Sequence, residues 1–163
     1  MGRLDDAERV HPATRAEWRA WLAAHHASSS GVWLISSSRS SGRPRVEYVD
    51  VIAEALCFGW VDGTQRRLDD ERTMLYLAPR RRGGTWARSN KERVARLAAE
   101  GLMTPAGLAV VEVAKADGSW TSLDAVEALE VPEDLGAALD ADPAARSGYD
   151  AMPPSARRQL LWL

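Results

Sequence analysis

Residues 50–77, DVIAEALCFGWVDGTQRRLDDERTMLYL, change periodicity within a few positions, and that change decides the fold. Val51, Ile52, Ala55, Leu56 and Phe58 fall on one helical face behind Asp50, a suitable N-cap, and Gly59 supplies the stop. Trp60-Val61-Asp62-Gly63-Thr64 then runs through Gln65–Leu68 into the turn-forming Asp69-Asp70-Glu71, and Thr73-Met74-Leu75-Tyr76-Leu77 returns as an apolar run. A buried helix thus leads directly into a hairpin.

Working outward, Thr14-x-x-Glu17 is a capping box that opens a helix with Trp18, Trp21, Leu22 and His25 on one face. Val32-Trp33-Leu34-Ile35 and the alternating Val46-Glu47-Tyr48-Val49 read as a second strand pair, joined by the turn-rich Ser36–Pro44. The second half is helical. Ser89-x-x-Glu92 repeats the capping spacing ahead of Val94 and Leu97, and Thr104-Pro105 opens a helix with Leu108, Val111 and Ala114 on one side. Shorter helices follow from near Ser122, Pro132 and Pro143, with a last one over Pro154–Leu163. The expected fold class is α+β: a small antiparallel sheet of about four strands in two hairpins, packed with helices, and a helical C-terminal half. Residues 1–12 read as a flexible leader and 13–163 as a single domain.

Composition narrows the function classes. With 163 residues, 45 % of them apolar, folding buries roughly 70 % of the surface of the extended chain, which needs no metal or disulfide staple. One cysteine, Cys57, excludes an internal disulfide, and three histidines give no zinc-type spacing, so neither metal nor cofactor is expected. No apolar run is long enough for a membrane span, and no secretory signal pattern opens the chain, so a cytoplasmic protein without membrane insertion is expected. Residues 66–96 hold ten basic side chains against four acidic ones, a balance of +6, whereas residues 117–163 hold nine acids against three arginines, a balance of −6. The simplest expectation is that the two stretches attract each other within the fold.

Two stretches can carry chemistry. In Cys57-Phe58-Gly59-Trp60-Val61-Asp62-Gly63, alternation places Trp60 and Asp62 on the same side, as a pocket floor or as a core ring followed by a turn carboxylate. In Pro79-Arg80-Arg81-Arg82-Gly83-Gly84-Thr85-Trp86-Ala87-Arg88-Ser89-Asn90, a basic cluster runs into a helix start, whose unpaired N–H groups favour an anion. No phosphate-loop or dinucleotide motif accompanies it. Asp62 beside arginines is a candidate general acid or base. A thiolate pair of Cys57 with His25 or His26 has no spacing to support it.

Trp18-x-x-Trp21-Leu22, Gly31-Val32-Trp33-Leu34, Ser41-Gly42, Tyr48, Glu54-Ala55-Leu56-Cys57-Phe58-Gly59-Trp60-Val61-Asp62-Gly63, Trp86-Ala87-Arg88-Ser89-Asn90 and Ala114-Lys115-x-x-Gly118-x-Trp120 together resemble the YdeI/OmpD-associated, or bacteriocin-protection, family over residues 14–163. The resemblance implies a bacterial protein linked to stress and antimicrobial-peptide resistance, and implies no particular reaction or cofactor. Ser38-Arg39-Ser40 departs from the Lys-rich element that family members carry there.

The leading expectation is a small, anionic and partly apolar ligand held by Tyr48, Trp60, Asp62, Arg80, Arg81, Trp86 and Asn90, with rings supplying apolar area and guanidinium groups supplying charge. An enzyme using Asp62 is the first alternative. Nucleic-acid binding through Arg66–Arg96 ranks last, because no stacking platform accompanies the charge, and self-association stays open.

Overall fold

A computed structural model describes residues 4–163. The order along the chain is β1 (Glu8–Val10), α1 (Arg15–His25), β2 (Val32–Ser37), α2 (Tyr48–Cys57), β3 (Trp60–Arg67), β4 (Arg72–Pro79), α3 (Arg88–Ala99), α4 (Pro105–Asp117), α5 (Asp124–Glu127), α6 (Glu133–Ala141), α7 (Pro143–Ala151) and α8 (Pro154–Leu161). The class is α+β, with a four-stranded sheet and helices filling the C-terminal half. Among the described residues no helix is long and apolar enough to cross a membrane.

The sheet runs β1-β2-β4-β3 and is mixed. The expected β3–β4 hairpin forms, with Trp60 opposite Pro79 and Arg67 opposite Thr73, and a bulge between Asp62 and Gln65. The expected pairing of Val32–Ile35 with Val46–Val49 does not form. β2 pairs instead with β4, antiparallel, and Tyr48 and Val49 open α2. Four alternating residues are too few to separate a strand from the first turn of a helix. Glu8–Val10, read from sequence as leader, lies parallel to β2, with Arg9 opposite Trp33; residues 1–3 of that leader lie outside the described residues.

α2 is the hub of the core. Every residue from Val51 to Cys57 is buried, because α1, β3 and α4 each cover part of its surface. Trp18 of α1 donates its indole N–H to the Val51 carbonyl at 3.1 Å, and Trp21 lies between Trp18, stacked at 5.6 Å, and Trp60, edge-on at 5.8 Å. Glu54 is the one buried carboxylate on the helix, 2 % exposed. It binds Arg15 Nε and Arg19 Nη1 at 2.7 Å each, and Arg19 reaches on to the Leu102 carbonyl at 3.0 Å, which ties α1, α2 and the α3–α4 connection together.

α4 docks by a close backbone approach. A Cβ on Gly107 would sit 2.2 Å from the Cys57 carbonyl oxygen, so only glycine fits there. The hydroxyl of Thr104 donates to that same oxygen at 2.6 Å while accepting the Gly107 N–H as N-cap. Gly59, at φ +76°, turns the chain from α2 into β3 against Val110. Of the α4 stripe expected from spacing, Val111 and Ala114 are buried and Leu108 is exposed, which frees Val110 and Val113 for a different surface.

Candidate functional site

β4 ends at Pro79, and the loop from Arg80 to Ala87 crosses in front of α4 before α3 begins. Arg80 is fixed at both ends: its backbone N–H donates to the Gly59 carbonyl at 3.0 Å and its Nη1 donates to the Thr85 carbonyl at 3.0 Å. Its guanidinium lies over Trp86, 3.8 Å from the ring centroid. Trp86 is buried and packs on Trp120 at 4.9 Å. Cation–π stacking and burial explain the conformation. They also leave the Arg80 Nε buried with no hydrogen-bond partner among the described residues, and burial lowers the guanidinium pKa from its ordinary value, opposed by the charge of Asp62.

A hollow of about 230 Å³ opens beside this stack. Trp86, Val110, Val113 and Ala114 make its wall largely apolar, while Arg80, Arg81 and Arg82 edge it with positive charge and Asp117 closes one side. Arg80 and Arg81 also edge a second hollow of about 390 Å³, whose wall includes Asp62, Tyr76 and Thr85.

The acidic C-terminal third meets this basic segment, as the charge segregation leads one to expect, yet it largely bypasses the arginines. Glu127 of α5 accepts the Arg88 backbone N–H with both carboxylate oxygens, at 2.8 and 3.1 Å. The helix start that sequence marks as an anion site is thus capped by the chain's own carboxylate. Lys91 pairs with Asp124 and donates to the Trp120 carbonyl at 3.1 Å. Asp117 accepts the Ser119 hydroxyl at 2.6 Å and its N–H at 2.9 Å; these bonds, with the Gly83 N–H and the nearby Arg82 charge, hold its carboxyl below the usual range. Among the described residues, Arg80, Arg81, Arg82 and Arg88 take part in no ion pair.

Of the residues singled out from sequence, Arg80, Arg81 and Trp86 share the first hollow, and Asp62 stands on the wall of the second. Tyr48, half exposed, donates its hydroxyl to Asp62 Oδ2 at 3.0 Å. Partial burial and the Asp62 charge push the Tyr48 phenol pKa up. Asn90 accepts from Arg93 at 2.8 Å and lines neither hollow. Trp60 is sealed in the core against Trp21, 1 % exposed, and lines neither hollow; the alternation with Asp62 is kept, but the helices cover the ring. The Cys57 thiol is buried, which pushes its pKa up, while His25 and His26 each turn Nδ1 to a carbonyl of α1, Trp21 and Leu22, at 2.9 Å. The roles of Val110, Val113, Asp117 and Glu127 escape sequence reading, since each depends on a packing angle or on a partner far along the chain.

An α+β domain with a mixed sheet, in which unpaired arginines stand over an apolar hollow, is the class of protein these features define. The chain belongs to the family of the domain of unknown function DUF8412, whose model matches residues 10–110. A second model, described as bacteriocin-protection, YdeI or OmpD-associated, matches residues 128–163, so the resemblance drawn from sequence over 14–163 is carried by the last three helices. No curated protein and no solved structure matches the chain.

Proposed function

We propose that this protein binds a small, anionic and partly apolar ligand in the hollow between Arg80, Trp86 and α4. The supporting observation is the Arg80 side chain: stacked on Trp86, without a carboxylate partner, and with its Nε buried and unsatisfied at the rim of an apolar wall. The Nε itself is closed to solvent, so a ligand's acid group meets the guanidinium charge that no carboxylate among the described residues offsets, and a charge-assisted hydrogen bond to that group is worth about 1.5–3 kcal/mol. Val110 and Val113 supply the apolar complement. An extended polyanion surface is less favoured, because Arg66, Arg67 and Arg72 are each paired with an aspartate, Asp5, Asp70 and Asp69.

In this reading the whole chain is a relative of the YdeI/OmpD-associated proteins, a cytoplasmic stress- or resistance-associated binding protein. The experiment is a screen of small carboxylates and phosphates bearing apolar groups, read by indole fluorescence, since Trp86 forms part of the wall. Arg80→Met keeps the stem over Trp86 and removes the charge; it is expected to weaken any hit about 10- to 100-fold, the equivalent of roughly 1.5–3 kcal/mol. Hits that bind Arg80→Met as tightly as the parent chain refute the proposal.

A further inference from the structure

The hollow beside Trp86 continues along α4. A third hollow, of about 290 Å³, is lined by Arg82, Val113, Ala116 and Asp117, and three of these, Arg82, Val113 and Asp117, also line the first. The two hollows therefore adjoin on one face of the helix, where Ala109, Val113 and Ala116 follow one another at helical spacing over about 10 Å. Ala109 and Ala116 are exposed, and their small side chains leave open the space on either side of Val113.

Charge is spread unevenly along this face. Arg80 and Arg81 border the first hollow and not the third, and neither takes part in an ion pair among the described residues. Asp117, which borders both, is occupied by its own loop: its carboxylate accepts the Ser119 hydroxyl at 2.6 Å, the Ser119 N–H at 2.9 Å and the Gly83 N–H. Its charge keeps an anionic group away from the third hollow, and its hydrogen bonds stay intact when an apolar chain lies beside it. Resting on the binding reading proposed above, we infer that the ligand is a straight-chain aliphatic acid whose tail extends from the first hollow into the third. Arg80 and Arg81 hold the acid group beside Trp86, and the alkyl tail runs along Val110 and Val113 to Ala116. A compact aromatic acid fills the first hollow alone. A chain also removes the apolar wall of the third from water, which is worth about fourfold in affinity for each methylene fully buried.

The test titrates butyrate, octanoate and dodecanoate, at sub-micellar concentrations, into the full chain and follows indole fluorescence. Affinity is expected to rise at least about tenfold from butyrate to octanoate and to level off by dodecanoate, once the tail has passed Ala116. Phenylacetate, with the carbon count of octanoate in a compact form, is expected to bind more weakly than octanoate. Ala116→Gln places a polar side chain in the third hollow at an exposed helical position; it is expected to remove most of the gain of octanoate over butyrate and to leave butyrate unchanged. The inference is overturned, and the binding reading left standing, by affinity independent of chain length, by a rise that continues undiminished to dodecanoate, by phenylacetate binding as tightly as octanoate, or by an Ala116→Gln variant that keeps the whole gain. Failure of the parent chain to bind any of these acids overturns the inference and leaves the wider ligand screen to decide the binding reading. Octanoate binding as tightly to Arg80→Met as to the parent chain overturns both. The series on the parent chain depends on no variant and so survives a folding defect in Ala116→Gln.

Discussion

Replacing Gly107 with alanine sets two effects against each other, and their magnitudes decide the sign. Alanine in place of glycine within a helix is worth at most about 1 kcal/mol in favour of folding. Here, however, the new methyl group would lie 2.2 Å from the Cys57 carbonyl oxygen, 2.7 Å from its carbon and 2.9 Å from the Leu56 oxygen, where ordinary contact begins near 3.4 Å. All three obstacles are backbone at the end of the buried stretch Val51–Cys57, so no side chain can swing aside. Overpacking of this kind costs typically 1–3 kcal/mol. Moving α4 away also stretches the Thr104–Cys57 hydrogen bond of 2.6 Å, worth about 1 kcal/mol more. The net expectation is a loss of about 2 kcal/mol, or a Tm about 4–8 °C lower for a chain of this length. Gly148→Ala is the matched control: it lies inside α7 with nothing within 4 Å of the added methyl, and a gain of about 0.5–1 kcal/mol is expected. Both variants are followed by circular dichroism on heating. A Gly107→Ala protein that melts at or above the parent temperature, with Gly148→Ala behaving as expected, refutes the claim that backbone contact seats α4 on α2.

Glu54→Gln is expected to cost about 2–3 kcal/mol in urea unfolding, less than a fully buried pair because Arg15 and Arg19 are 39 % and 33 % exposed; a change below about 0.5 kcal/mol would mean that solvent already serves both arginines. Asp117 has a native pKa below its ordinary value, so its contribution is complete above that ordinary value and is lost as pH falls through the native one; Asp117→Asn is expected to flatten the decline of stability below about pH 4, and parallel pH profiles of variant and parent would count against the Ser119–Gly83 cradle. Cys57, buried and with its thiol pKa raised, is expected to react with a disulfide reagent only as fast as the chain opens, so a rate that climbs with thiolate fraction in the folded protein would contradict its sealed position.

The legible parts of the fold are those whose signals are local. Thr14 does accept the Glu17 N–H at 3.2 Å and Thr104 the Gly107 N–H, as their spacing foretells, and the β3–β4 hairpin turns at the Asp-Asp-Glu run. Ser89-x-x-Glu92 has the same spacing without the same result: α3 starts at Arg88, and the carboxylate at its first turn comes from Glu127, 39 residues further on. β1 is three residues long and pairs in parallel, so no turn announces it. The site divides along the same line. Arg80, Arg81 and Trp86 are close in sequence and share one wall, whereas α4 comes to face them through a packing angle that Gly107 sets. Trp60 illustrates the reverse error: alternation places its ring correctly on the side of Asp62, but α1 and α2 then cover that side, which no local pattern records.

The three carboxylates that steady the basic loop, Asp117, Asp124 and Glu127, all fall between the stretch 10–110 and the stretch 128–163 that the two family models recognise. A fragment cut where the first of those stretches stops would lose them along with Val113 and Ala114, and α3 would begin on bare amides beside a lysine stripped of its counterion. The recognisable signature and the excisable unit therefore have different edges, and recombinant fragments that keep the hollow intact must run past residue 127.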